Sequence, residues 1–243
     1  MGDDTEIRSA RRGLLLSVLL ILVAAAAVTY SAWRYWPTLM EDQGGGAAEP
    51  AVDEDMKKLW AEEDAAPAAE FEDLYPMDTT PPSGTRYPCA FTPLPREMPG
   101  VPASHRGYVS HVCALVLKAI HLRLEAWEGL VPPQPPAGLL DRYLSETKYI
   151  VSKLKKEPTP KSMEQSHRLL IEALELQMTF LQRGYEARGS GQDWQQIVDG
   201  IPEGKQASGK LMTVWGCWQM RYPNASPEVR DSLMHHLCAL DFY

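Results

Sequence analysis

The feature that most constrains this chain is a run of twenty-one uncharged residues, Gly13–Trp33, which directly follows Arg11 and Arg12. A helix of this length spans roughly 30 Å, the thickness of the hydrocarbon core of a bilayer. The arginines before the run outnumber the single Arg34 directly after it, which favours a cytoplasmic amino terminus. The run therefore predicts a single-pass membrane anchor over residues 13–33, preceded by a cytoplasmic tail over residues 1–12.

This anchor would place the rest of the chain outside the cytoplasm, as a periplasmic or extracellular domain, with the bacterial inner membrane as the favoured location. A cleaved signal peptide is the alternative, since Leu14–Val23 has the length of a signal-peptide core and small residues follow it. Aromatic residues cluster where the run ends, as such rings do at membrane interfaces, and they favour the uncleaved anchor. These residues are Tyr30, Trp33, Tyr35 and Trp36.

Charge divides the remaining chain into two regions. From Glu41 to Asp78 there are thirteen acidic residues and two lysines, a net charge of −11, whereas residues 79–243 carry a net charge of +2. A stretch this acidic, and rich in Ala, Pro and Gly, is typical of disorder and predicts an acidic linker over residues 34–78. The near-neutral remainder has no basic stripe, which argues against a nucleic-acid partner.

A proline-rich stretch follows the acidic linker. Eight prolines fall between Pro76 and Pro102, and such a density favours an extended, stiff chain. We therefore expect a proline-rich spacer over residues 79–103. Cys89 lies within this stretch and suggests that its second half is attached to the domain.

Two short islands interrupt the acidic linker with apolar residues at helical spacing. An aromatic residue in such a stretch has no core of its own, and segments of this kind often fold when they dock into a partner. The alternatives are that the islands lie on the protein's own domain or have no role. Trp60, the largest apolar side chain of the linker, is the predicted anchor of a partner contact. The candidate residues are Met56, Leu59 and Trp60 in the first island, and Phe71, Leu74 and Tyr75 in the second.

From Ser104 onward, the apolar residues recur with a helical period in five long stretches and one short piece at Asp193–Asp199. Proline and glycine separate the stretches, and Ser104 and Ser226 are placed to cap two of them. No segment alternates between apolar and polar residues as a strand would. The pattern predicts an all-α fold, a bundle of about five helices over residues 104–243.

All four cysteines, Cys89, Cys113, Cys217 and Cys238, follow the predicted anchor, and an even number in an oxidising compartment predicts two disulfides. Cys217 and Cys238 fall on the last two long helices, offset by about 10 Å along their axes, which is too far for a bond. The preferred pairings therefore join Cys89 and Cys113 to Cys217 and Cys238, in an order that stays open. Buried free thiols are the alternative.

Motifs that would indicate chemistry are not found. Histidines lie near thiols at His111–Cys113 and at His235–Cys238, but without the CxxC or HExxH spacing of a strong zinc signature. The sequence also has no nucleophile elbow, phosphate-binding loop or dinucleotide fingerprint. We therefore predict no catalytic residues, no metal and no cofactor, and we do not expect an enzyme.

The function favoured by these patterns is a membrane-anchored, exported interaction or scaffold protein that acts in assembly of an envelope or membrane complex. The first alternative is a helical binding module for a small apolar ligand or lipid, held in a cavity lined by Trp and Met. An enzyme of unknown type is the second alternative. Trp215 and Trp218 are most simply core residues, but they are also candidates for an apolar partner groove.

Overall fold

The computed structural model describes residues 54–67, 79–80, 88–130, 137–188 and 194–241, and within these ranges it contains seven α-helices and no strand. This confirms an all-α fold for the described part of the chain. From residue 103 onward, five of the six described helices have 14 residues or more. The helices are α1 (Glu54–Ala65), α2 (Ala103–Leu130), α3 (Leu139–Leu154), α4 (Glu164–Ala187), α5 (Trp194–Asp199), α6 (Pro202–Arg221) and α7 (Pro227–Leu240), with short 3-10 turns at Pro88–Phe91 and Lys161–Met163.

The core forms between the long helices. The most extensive packing is between α4 and α6, while α2 packs on α3 and on α7, and α3 packs on α4. Each helix turns its apolar stripe inward, because residues three and four apart share one face. On α4 this stripe includes Leu170, Leu174 and Leu181, and on α6 it includes Leu211, Val214 and Trp218, all buried.

The described part of the proline-rich stretch belongs to the domain. The backbone N–H of Ser226 donates to the carbonyl of Pro99 at 2.9 Å. Gly100 has φ +82°, and a Cβ at this position would lie 1.9 Å from the carbonyl oxygen of Asn224, so this close approach requires glycine. Apolar side chains of the stretch enter the core; they are Ala90, Phe91, Leu94, Met98 and Val101.

The helix starts agree with the sequence in one case and differ in another. Ser226 caps α7 as expected, with its hydroxyl accepting from the Val229 N–H at 3.4 Å and Pro227 in the first turn. Ser104 does not cap α2, which already begins at Ala103. Its hydroxyl instead donates to the carbonyl of Glu63 at the end of α1.

The prediction of a single-pass membrane protein with an exported domain is contradicted. Among the residues that the structure describes, none of the helices combines the length and apolar character needed to cross a bilayer. The longest helix, α2, has 28 residues but carries Arg106, Lys118, Arg123 and Glu125. The run Gly13–Trp33 lies outside the described residues. The periplasmic or extracellular location derived from it is withdrawn.

The prediction of two disulfides is wrong. All four cysteines are free thiols: Cys89 and Cys238 are exposed, Cys217 is half-buried and Cys113 is buried. Cys113 packs in the apolar core as a small hydrophobic side chain, and burial raises the pKa of its thiol to about 12. The pairings expected from helix geometry do not form. The alternative of buried free thiols holds for Cys113, whereas Cys89 and Cys238 are free but exposed.

Candidate functional site

A cluster of buried polar groups lies where α1 meets α2, α6 and the Lys161–Met163 turn. Ser162 donates to the Glu63 carboxylate twice, from its backbone N–H to Oε1 at 3.1 Å and from its hydroxyl to Oε2. His105 Nε2 lies 3.2 Å from Glu63 Oε2, and Arg221 Nη2 lies 3.4 Å from the same oxygen. We call these three residues, together with Ser104, whose hydroxyl donates to the backbone carbonyl of Glu63, the carboxylate receptor.

Three elements of the bundle supply this receptor. His105 is in the first turn of α2, and Arg221 is the last residue of α6. Ser162 belongs to the turn that leads into α4, where backbone N–H groups have no partner within the helix and the helix dipole favours an anion. A carboxylate at this position therefore meets a helix start, a guanidinium and an imidazole together.

The bundle holds the receptor side chains in place independently of α1. Arg221 Nε donates to the Ser162 hydroxyl at 3.1 Å, and its guanidinium lies 5.7 Å from the centre of the Tyr222 ring. The Tyr222 hydroxyl lies 3.0 Å from His105 Nδ1, so a neutral His105 with its proton on Nε2 accepts from Tyr222 and donates to Glu63. The donors are thus preorganised around the carboxylate position.

The receptor side chains are buried, and burial influences the pKa values of His105 and Glu63. The side chains of His105 and Arg221 are 1% and 3% exposed. Burial, followed by the charge of Arg221, lowers the pKa of His105, so the imidazole is neutral at pH 7. Burial alone would raise the pKa of Glu63, but the two hydrogen bonds from Ser162 and the neighbouring positive charge outweigh it, and the net pKa lies below its ordinary value.

Helix α1 contributes two further contacts to the site. The Asp64 carboxylate lies 2.6 Å from Arg221 Nη2, although its side chain is 50% exposed. The Trp60 ring covers the other side of the guanidinium, with 5.3 Å between Arg221 Cζ and the ring centre, a cation–π arrangement. The indole Nε1 of Trp60 is buried and finds no hydrogen-bond partner in the described part of the chain. No side chain of α1 is fully buried.

An open groove continues from the receptor past the end of α1. It has a volume of about 430 Å³ and runs between the start of α2 and the loop that precedes α4. Its walls combine the receptor residues Ser104 and His105 with Tyr108 and the loop residues Pro158, Thr159 and Pro160. The receptor is therefore continuous with a groove that is also lined by Ala66 and Pro67.

The structure places the first predicted island on the protein's own domain. Leu59 and Trp60 are half-buried against the bundle, whereas Met56 remains 39% exposed. Of the roles considered for this island, docking on the own domain is the one that the structure shows, and a role in partner binding stays a prediction. Within the acidic stretch expected to be disordered, Glu54–Ala65 is helical because its apolar face finds this surface.

The other predicted partner residues are not brought to this site's centre. Phe71, Leu74 and Tyr75 lie outside the described residues. Trp218 is 2% exposed and belongs to the core, and Trp215 is partly buried against that core. Neither tryptophan lines the groove beside α1 or two other surface grooves between described residues.

The receptor residues were missed by the sequence analysis, but two of them left a signal. Arg221 follows Leu211, Val214 and Trp218 at helical spacing, so a charge occupies the apolar face of α6. In the same way, His105 precedes Val109 and Val112 on the apolar face of α2. A polar residue at such a position needs a buried partner, and the partner here comes from a distant part of the chain.

Known proteins offer no guide to this arrangement. No protein-family model, curated protein or solved structure matches the chain. Within the described residues, no three His, Cys, Asp or Glu side chains are grouped as metal ligands would be. The site must therefore be interpreted from its own geometry.

Proposed function

We propose that the chain is a protein-interaction module whose bundle recognises an acidic helix at the carboxylate receptor, a site that α1 fills in this structure. One observation carries the proposal. Preorganised donors from three elements converge on a single carboxylate, and that carboxylate belongs to a helix with no fully buried side chain.

The same geometry favours binding over catalysis. Ser162, His105 and Glu63 are residue types that occur in catalytic sites, but the Ser162 hydroxyl donates to an ionised carboxylate and also receives the Arg221 Nε–H. A serine nucleophile needs a base that removes its proton, and here the nearby Arg221 stabilises the ionised carboxylate as an anion. The arrangement neutralises a bound carboxylate.

The alternative of a small apolar ligand receives less support. That function needs an apolar cavity lined by Trp and Met, whereas Trp218 and Met163 are packed in the core. The groove between α2 and α3, about 540 Å³, is lined partly by the ion pairs Lys118–Glu146 and Arg142–Glu125. The same groove is also lined by Leu115, Leu117 and Leu122, so charged and apolar side chains share its walls.

The proposal changes the expected role of Trp60. The sequence alone suggests that Trp60 contacts a partner directly, so Trp60→Ala would weaken partner capture. In the structure Trp60 covers Arg221, so the same substitution loosens α1 and uncovers the receptor. Capture should therefore increase, and the sign of the effect separates the two hypotheses.

The test is affinity capture from the source cells, with the full-length chain in four forms: unsubstituted, Trp60→Ala, Arg221→Met and Arg142→Met. We expect roughly a threefold or greater gain with Trp60→Ala and a loss with Arg221→Met, because a buried charged partner of a carboxylate typically contributes about 2 kcal/mol or more. Arg142→Met is the matched control, since this exposed arginine pairs only across the α2–α3 surface.

Two results would overturn the proposal. If capture falls with Trp60→Ala and rises with Arg221→Met, α1 itself is the recognition segment. If all four forms capture the same proteins equally, the receptor has no role in recognition. Circular dichroism and thermal melting of each form show whether it is folded, and Ser162→Ala, which removes one donor, replaces Arg221→Met if that form is not.

A further inference from the structure

We infer that the ligand of the carboxylate receptor is an amphipathic helix of a partner protein, carrying an aromatic residue followed three residues later by a glutamate, and that it binds by displacing α1. This inference rests on the proposed function and names its ligand. The chemistry is read from α1 itself, in which Trp60 covers the guanidinium and Glu63 enters the receptor. Helix α1 is thus a built-in competitor.

The two sides of the contact differ in how firmly they are held. The receptor side chains His105 and Arg221 are almost fully buried in this structure, and contacts within the bundle orient them. On the α1 side, the Glu63 side chain is 15% exposed and the Asp64 side chain is 50% exposed. The bundle side is therefore the more constrained one, which favours exchange of the occupant.

Helix α1 also leaves interactions unmade at the receptor. The buried Trp60 Nε1–H has no acceptor among the described residues, and a lost hydrogen bond of this kind costs about 1–3 kcal/mol. The 430 Å³ groove beside Ala66 and Pro67 is also open. A partner helix could avoid this cost with phenylalanine in place of Trp60, or bury more surface with apolar residues that continue into the groove. Either change would make its binding more favourable than that of α1.

In this structure the Arg221 guanidinium is paired with the Glu63 and Asp64 carboxylates. A ligand that covered Arg221 without supplying a carboxylate would bury its charge unpaired, which is strongly unfavourable. The receptor therefore selects an acidic ligand. A second copy of this chain is the weaker source, because α1 of the same chain has an effective concentration on the order of mM at its own receptor.

The experiment uses the full-length chain and a fluorescent peptide of residues 54–67. A lactam bridge between the exposed Lys58 and Glu62 stabilises the peptide helix on its outer face, since a free helix of this length is marginal in water. Fluorescence anisotropy measures binding to the unsubstituted chain and to an opened form that carries Trp60→Ala and Asp64→Asn. The opened form is first shown to keep the melting temperature of the unsubstituted bundle.

We expect the opened form to bind the peptide at least tenfold more tightly than the unsubstituted chain, in which α1 competes. Adding Arg221→Met to the opened form, or Glu63→Gln to the peptide, should weaken binding at least tenfold. Lys57→Ala in the peptide is the matched control and should have no effect, because Lys57 pairs only with the exposed Glu54.

Absence of binding to the folded, opened form would overturn the inference, as would binding that ignores both Arg221→Met and Glu63→Gln. A dimer that dissociates on dilution of the unsubstituted chain, seen by light scattering, would overturn it by assigning the site to a second copy. The capture experiment tests the proposed function by the effect of Arg221→Met on binding of the chain's natural partners. Its outcome does not depend on the peptide, so the proposed function and the inferred ligand can fail independently.

Discussion

The contact between α4 and α6 and the contact between α1 and the bundle use opposite means. The first buries leucines, valine and tryptophan along two long helices. The second buries no α1 side chain fully. It depends on the Glu63 and Asp64 carboxylates and the Trp60 indole, which converge on Arg221. Burial is spread over many atoms and is hard to exchange, whereas a few directional contacts can be remade with another helix of the same chemistry.

The two contacts also differ in the free energy needed to break them. Fully burying a large apolar side chain contributes about 1.5–3 kcal/mol, and the α4–α6 contact contains many such side chains. The net gain from a hydrogen bond is about 1 kcal/mol, and that from an exposed ion pair is smaller. The opening of α1 should therefore require much less free energy than unfolding of the bundle, so the two can be measured as separate transitions.

The largest expected effect comes from making the same substitution in both contacts. Leu174→Ala removes a side chain that is 1% exposed in the α4–α6 core and should lower the free energy of unfolding by about 2–5 kcal/mol. Leu59→Ala in α1 is the matched control and should change it by less than about 1 kcal/mol. Denaturant titration measures both values, and similar losses would remove the distinction between the two contacts.

A second prediction concerns acid. Burial lowers the pKa of His236 from 6.5 to about 4, while its Nε2 lies 3.0 Å from the carbonyl of Thr92. Because the pKa of His236 is lower in the folded chain than in the unfolded chain, its full contribution to stability is present above pH 6.5. It is lost as pH falls toward 4, where the unfolded chain takes up the proton first. The loss from His236 alone should be about 3 kcal/mol at pH 4.

His236→Gln tests this contribution, since the amide can still donate to the Thr92 carbonyl but does not titrate in this range. Denaturant titrations at pH 7 and pH 4 should show a smaller acid loss for the variant than for the unsubstituted chain. Parallel losses in the two proteins would show that His236 does not drive acid sensitivity. Burial also lowers the pKa of His167, so some acid loss remains in the variant.

The sequence predicts the bundle well and the receptor poorly, for a physical reason. Helical period and proline joints are local signals, so the five long helices and the cap at Ser226 could be recognised from neighbouring residues alone. The receptor depends on Glu63, His105 and Arg221, which are far apart in the chain and meet only through the fold. From its acidic surroundings, Trp60 could be expected to pack against a surface elsewhere. That this surface includes Arg221 could not be expected from neighbouring residues.

The error on the disulfides has a related origin. The pairings were derived from an exported location, which in turn rested on a run of residues outside the described part of the chain. Cys113 shows the competing principle, since a buried thiol in an apolar core is stable without a bond. A compartment inferred from one segment therefore should not decide the chemistry of another.

The smallest predicted effect distinguishes the two roles of the Trp60 side chain, its area and its indole N–H. Trp60→Ala should speed hydrogen exchange of the α1 amides roughly fivefold, an opening about 1 kcal/mol easier, because the ring no longer covers Arg221. Trp60→Phe should keep exchange within about twofold of the unsubstituted chain, since it retains a ring and removes the unpaired buried donor.

Exchange of the α4 and α6 core amides should not change in either variant. The exposed Lys58→Ala is the control for helix propensity. If Trp60→Phe opens α1 as much as Trp60→Ala does, the indole is well matched to its site. The argument that a partner helix can improve on it would then fail.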